Sequence, residues 1–167
     1  MSMATAEEVI EALGLAPLPR EGGWYLETWR GGHNRFIEPT VFSSRSAGTA
    51  IYYLLKAGEH SRLHRLASTE IYFHHAGSPL GMLILGDLSY PSGRQVTLGP
   101  DIGRGQIPQI VIPAGAIHGS RPMGSTGWTL VSTVMVPGFD SSDYSEPEIN
   151  ALILRYPSHK QEIEELA

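Results

Sequence analysis

The 167-residue chain contains no cysteine, and that absence removes three chemistries at once: a disulfide framework, a thiolate metal site and a cysteine nucleophile. Long apolar runs are missing too. The longest are about half the ~20 residues that span a bilayer as a helix, so no transmembrane helix is expected. The N-terminus lacks the basic start, apolar stretch and small-residue cleavage site of a secretory signal, and a cytoplasmic location is the expectation. Basic charge is also short. Twelve Lys and Arg against 17 Asp and Glu leave a net −5, which argues against a nucleic-acid polymer as partner. Neither a Gly-x-Ser-x-Gly elbow nor a Gly-x-x-x-x-Gly-Lys loop occurs, so hydrolase and NTPase readings have no support.

What is present is turn chemistry. Nineteen Gly and 12 Pro are too many for a helical bundle and follow no period, which leaves short strands joined by tight turns. The charge is unevenly placed. Residues 140–167 hold seven acids against Arg155 and Lys160, so this segment alone carries the −5. Residues 1–139 balance ten acids with ten bases, and nine of those bases are Arg, with Lys56 the exception. Arginine's planar fork of donors suits carboxylate or phosphate, although each Arg also fits a plain surface role.

Along the chain, Thr5-Ala6-Glu7-Glu8 reads as a capping box that opens a short helix stopped by Gly14. Strands are expected at Trp24–Arg30, Thr49–Leu55, Ser61–Leu66, Glu70–His75, Gly81–Leu85, Gln95–Leu98, Gln109–Ile112 and Trp128–Val136, each bounded by turn residues. Ser145-Glu146-Pro147-Glu148 reads as a second capping box, and Ser158-His159-Lys160-Gln161 opens a third helix. No repeat or linker interrupts the chain. The expectation is one domain, 1–167, with strands over about 20–139 and an acidic helical tail over 140–167.

The informative spacing lies in the middle. Gly58, five residues, His64, one residue, Leu66, three residues, Glu70, six residues, Gly77 is followed by Pro113-Ala114-Gly115-Ala116-Ile117-His118. These two blocks resemble the signature motifs of the cupin superfamily, which place His at His64 and at Leu66, Glu at Glu70, and Pro, Gly and His at Pro113, Gly115 and His118. Glu21-Gly22-Gly23-Trp24-Tyr25-Leu26-Glu27-Thr28-Trp29-Arg30, Thr49-Ala50-Ile51-Tyr52-Tyr53-Leu54-Leu55, His64-Arg65 and Val136-Pro137-Gly138-Phe139 are similar to the cupin-5 branch, a domain of unknown function. The resemblance implies a mainly β fold, a double-stranded β-helix or jelly-roll barrel, with one ligand pocket in its mouth. It also implies a homodimer and a likeness to sugar-nucleotide epimerases. Leu66 departs from the pattern where a metal-binding cupin has its second His.

Strand alternation gives a separate reading. His60, Arg62, His64 and Leu66 are expected on one face, and Glu70, Tyr72 and His74 on one face of the next strand, with Gln109 and Val111 alternating before Pro113. The result is a pocket of imidazoles, a carboxylate, a phenol, an amide and a guanidinium among apolar walls, a mixture that suits a small-molecule site. His64, Glu70 and His118 compose two imidazoles and one carboxylate, fit for a divalent metal as cofactor. Equally, His64 and Glu70 compose a metal-free pair in which the carboxylate raises the ring's basicity, with Tyr72 or Tyr53 as the matching acid. Arg62 is the expected anion contact, with His74, Gln109, His118 and Tyr53 as further ligand-binding candidates. His33 and His159 read as surface residues; Tyr52, Trp24 and Phe139 read as core.

Three functions remain open at this point. One is a pocket for an anionic carbohydrate- or nucleotide-like ligand with sugar epimerase or isomerase chemistry. Another is a metal-dependent enzyme using His64, Glu70 and His118. The last is a non-catalytic ligand-binding module.

Overall fold

Thr5 caps the first helix as its sequence requires. Its side chain accepts from the Glu8 amide at 3.2 Å while the Glu8 carboxylate accepts from the Thr5 amide at 2.8 Å. The helix α1 (Ala6–Leu13) then ends at Gly14, whose φ of 66° is left-handed. The computed structural model describes residues 4–32, 45–125 and 127–167; His33 lies outside the described residues.

Among the described residues ten strands follow: β1 (Ala16–Pro17), β2 (Trp24–Arg30), β3 (Thr49–Lys56), β4 (Ser61–Arg65), β5 (Thr69–Gly77), β6 (Leu80–Leu85), β7 (Arg94–Leu98), β8 (Gln109–Ile112), β9 (Ile117–Pro122) and β10 (Trp128–Val136). They form two antiparallel sheets, ordered β1-β2-β3-β10-β5-β8 and β4-β9-β6-β7. Among the described residues no ladder of paired strands joins the two. The jelly-roll expectation is therefore met by two facing sheets that do not close into a barrel. The chain crosses between them at turns containing Gly58 (φ 87°) and Gly77 (φ 84°), conformations that a side chain would strain.

The space between the sheets is filled by Tyr53, Leu55, Tyr72, Met82, Ile84, Leu98, Ile110, Ile112 and Val131, among others. The four-stranded sheet is also covered outside. Helices α2 (Ile149–Arg155) and α3 (Lys160–Glu165) place Leu152 and Ile163, with Tyr156 and Leu166 beside them, on Leu63, Leu83, Leu85 and Ile117. Each fully buried aliphatic group there contributes about 1.5–3 kcal/mol. That second layer explains why β6 is almost continuously apolar and shows no alternation. On the other sheet, α1 packs with Trp128 and Leu54, and Trp24 and Tyr52 lie against that cluster.

Several expectations need correction. Strand β9 was not anticipated, because Gly119-Ser120-Arg121-Pro122 reads as turn chemistry. The second capping box does not form, since Glu148 precedes α2 without a side-chain cap. Ser145 is committed instead to a two-way backbone bridge with Arg65, at 2.9 and 3.1 Å. A 3-10 turn at Pro157–His159 precedes the third helix. Phe139 is exposed and not core. His159 is half-buried, with Nδ1 shielded from solvent, because its ring packs near Gly93.

Candidate functional site

His64 on β4 and His118 on β9 are directly paired, and both rings are buried. Glu70 comes from β5 on the opposing sheet and is buried as well. One ligand-type atom from each of the three lies within 4.8 Å of the other two. Three strands and both sheets thus deliver the group, and the strands' own pairing fixes it.

Hydrogen bonds orient these side chains. His64 Nδ1 lies 2.7 Å from the Arg62 carbonyl; donating its proton there leaves Nε2 as the free lone pair. His118 Nε2 lies 3.0 Å from Glu70 Oε2 and 3.2 Å from the Tyr72 hydroxyl. Burial lowers the pKa of His64, an effect that the Glu21 charge opposes most strongly. Burial takes His118 down to about 4, again against the Glu21 charge. Both imidazoles are therefore neutral at neutral pH. Burial raises the pKa of Glu70 from its ordinary value, opposed by the attraction His64 would exert when protonated and by hydrogen bonds from Thr133 and Tyr72. Tyr53 and Tyr72 are raised well above 10 by burial, so each stays protonated as a hydrogen-bond donor.

The structure brings His64, Glu70, Tyr72 and His118 together, but it rearranges the expected partners. Glu70 contacts His118 directly, and not His64. Arg62 is exposed because β4 slips register between Ser61 and His64: Ser61, Leu63 and His64 are all buried, while Arg62 and Arg65 face solvent. A bulge breaks the period-2 rule from which the inward Arg62 was derived. Gln109 and Val111 alternate as expected but with the opposite phase. They are exposed, and Ile110 and Ile112 point inward. His74 is half-buried, with its Nε2 3.1 Å from the Ser78 carbonyl, and takes no part in the cluster. Tyr53 donates to the Gly22 carbonyl at 2.9 Å.

Two neighbours escaped the sequence reading. Glu21 accepts from the Ser61 hydroxyl on Oε1 at 2.8 Å, and its Oε2 lies 4.0 Å from His64 Nε2. The turn that delivers it needs left-handed backbone at Arg20 (φ 70°), Gly22 (φ 99°) and Gly23 (φ 75°). A Cβ on Gly22 would meet the His60 carbonyl at 2.6 Å, so only glycine lets the turn dock on β4. The signal available in the sequence was the Gly22-Gly23 pair itself. Tyr144 is the other neighbour. Its ring stacks on His64 (5.2 Å between centroids, 14° between planes), and the Arg20 guanidinium lies 4.6 Å from the Tyr144 ring centre. Nothing in the local sequence around Tyr144 marks it, because the contact spans 80 residues of chain. A cleft of about 730 Å³ beside His60, Gln95, Arg121 and Glu165 contains none of the clustered residues; chemistry, not volume, marks the site.

The arrangement of a buried His, Glu and His on facing antiparallel sheets can now be set beside known proteins. Residues 7–146 match the family described as Cupin superfamily (DUF985). The chain belongs to this family. This cupin is similar to a hypothetical protein from Leishmania major, at 36% identity and a TM-score of 0.85 over 98% of this chain and 99% of the other. A protein from Shewanella oneidensis is similar at 33% identity and a TM-score of 0.84, covering 99% and 98% of the two chains. An uncharacterized protein of Saccharomyces cerevisiae is 28% identical over 152 residues, 80% of this cupin and 73% of the yeast protein. The fold is accordingly that of cupins: mainly β, two antiparallel sheets and short helices.

Proposed function

We propose that this cupin is a small-molecule enzyme whose reactive centre holds a divalent cation on His64, Glu70 and His118. The observation that carries the reading is the convergence of these buried side chains, from both sheets, within 4.8 Å. The donor set fits such an ion. Two imidazoles held neutral by burial offer lone pairs, and a buried carboxylate whose ionisation is penalised is relieved by a neighbouring positive charge. When bound, the cation would supply Lewis acidity to a substrate oxygen. The chain's own groups do the rest. The Arg62 carbonyl holds His64 in the required tautomer, and the Tyr72 hydroxyl, protonated throughout the physiological range, steadies His118 and Glu70. Around the Tyr144 hydroxyl the Glu21 and Glu146 charges outweigh those of Arg20 and Arg62, so the rim is mixed in sign; the ligand proposed is of anionic carbohydrate or nucleotide type, with those two guanidiniums as its contacts. Isomerisation of such a ligand is the reaction we put first.

The metal-free alternative rests on the hydrogen-bonded series Glu70, His118 and Tyr72. It is the weaker reading, because His118 with a pKa of about 4 is a poor base at neutral pH. Elemental analysis of protein purified without chelator, with mass spectrometry of co-purifying small molecules, tests the choice. One equivalent of a divalent metal supports the centre; none after saturation with Mn(II), Fe(II) and Zn(II) defeats it.

Homodimerisation is also proposed, through the outer face of the six-stranded sheet. Val111, Ile71, Val134 and Tyr52 share that face through cross-strand register, all remain partly or fully exposed, and an apolar band of this kind suits a second copy of the chain.

A further inference from the structure

The clustered side chains are almost sealed from solvent: His64 and His118 are 1% exposed and Glu70 5%. A small-molecule site so enclosed needs an entrance, and the walls around it differ in how firmly they are held. Tyr53 and Tyr72 stand on strands and are buried. Their hydroxyls are committed to the Gly22 carbonyl (2.9 Å) and to His118 Nε2 (3.2 Å). Glu21, near His64 Nε2, is tied by the Ser61 hydroxyl at 2.8 Å.

Tyr144 differs on each count. It lies between β10 and α2, outside the sheets, and is half-buried. Its ring lies against His64, with 5.2 Å between centroids and 14° between planes. Its hydroxyl is shielded from water and has no hydrogen-bond partner. Rotating the side chain outward therefore breaks no hydrogen bond of that hydroxyl and returns it to water, which relieves the cost of a buried unsatisfied group. The backbone on both sides is pinned. Asp143 is buried and takes a two-pronged ion pair from Arg45, while Ser145 exchanges backbone hydrogen bonds with Arg65 at 2.9 and 3.1 Å. Motion at this point is thus confined to the side chain, about its Cα–Cβ bond. The Arg20 guanidinium, 4.6 Å from the ring centre and ion-paired with Glu146 at 3.2 Å, holds the ring in place.

We propose that Tyr144 is the gate of the site. Closed, its ring lies against His64; rotated away, it opens the path by which a small ligand reaches the cluster, with Arg20 as the latch. This inference rests on reading the cluster as a small-molecule site, and it is independent of whether an ion is bound there.

The test is chemical access to His64 in the metal-free full chain. Diethyl pyrocarbonate acylates a neutral imidazole at a free ring nitrogen, here Nε2, and peptide mass spectrometry reads the rate at each histidine. Exposed His75 is the internal standard. Relative to it, His64 of wild type should react slowly. Tyr144→Ala should speed that reaction by about tenfold and Arg20→Ala by about threefold, the factors expected from losing both ring contacts or the cation–π contact alone. Tyr144→Phe, which keeps the ring and has no hydroxyl to return to water, should react no faster than wild type. Amide exchange at Arg65, whose N–H bonds the Ser145 carbonyl, should be unchanged in all variants. The gate is overturned if Tyr144→Ala matches wild type, if Tyr144→Phe matches Tyr144→Ala, or if wild-type His64 reacts as fast as His75. Arg65 exchange that accelerates in step with His64 acylation also overturns it, because the segment then lifts as a whole. An Arg20→Ala rate equal to wild type overturns the latch. Saturating Mn(II) should protect His64 in every protein; if it does not while the variants behave as expected, the metal centre is defeated and the gate stands.

Discussion

His64 and His118 sit directly opposite each other across β4 and β9, with ring centroids 4.3 Å apart and planes tilted by 57°. Side chains paired across antiparallel strands are about 4.5–5.5 Å apart at Cβ, so the ladder itself delivers the two imidazoles to one place. Two positive rings at that separation would repel in a buried setting, and burial keeps both neutral.

Stability without metal is expected to fall as pH falls. His118 has a folded pKa of about 4 against about 6.5 unfolded, so the unfolded chain binds more protons between those values and stability decreases through that window. The His118 contribution is about 3 kcal/mol in all. Glu70, raised in the folded state, acts with the opposite sign, gaining stability as it protonates. Urea unfolding from pH 7.5 to 4, with chelator, should show the loss, and His118→Phe should flatten it; an unchanged slope in the variant would contradict the assignment.

Glu70→Gln should stabilise the metal-free protein at pH 8 while abolishing metal binding. The raised pKa means that ionising Glu70 costs folding free energy, and the amide has the same shape without that cost. The gain should vanish below about pH 4.5, where folded and unfolded carboxyls are both protonated. Each kcal/mol corresponds to ~2–4 °C of melting temperature in a chain of this size. A lower melting temperature at pH 8 would refute it.

Thr5→Ala removes one side of a reciprocal cap and should cost about 1 kcal/mol. Because α1 packs with Leu54 and Trp128, the loss should appear in global unfolding and not as fraying alone. Chemical denaturation monitored by tryptophan fluorescence provides the check.

Val134→Lys places a charge in the middle of the outward apolar face. If the proposed dimer forms through this face, sedimentation velocity should report a dimer for wild type and a monomer for the variant, with metal stoichiometry unchanged. Equal sedimentation of the two proteins would refute the proposed contact.

Most strand positions were legible because each is a short apolar run between Gly and Pro turns, and β2, β8 and β10 occur at the bounds expected. The residues of the cluster were legible through the resemblance of their spacing to the two cupin motifs. Orientation was less so. The bulge that turns Arg62 outward adds no unusual residue type, and the phase of Gln109 depends on the sheet opposite. Strand β9, which carries His118, was obscured by Gly119, although a Cβ there would meet the Ser61 carbonyl at 2.9 Å; that glycine serves strand approach and not a turn. Glu21 and Tyr144 reach the site through contacts across the chain that no local pattern encodes.

The register slip in β4 has an evolutionary side. Substituting residues between Ser61 and His64 changes which groups are present, whereas deleting one of them would remove the bulge and leave Ser61 opposite Ser120 and His64 opposite His118 in strict alternation. Imidazole would stay between the sheets, and a single residue would face Gly119 where Arg62 now meets solvent and Leu63 packs under the helices. For a relative built on the same scaffold, the length of this short segment would decide whether one strand can carry a helix-covered side chain and a solvent-facing arginine side by side.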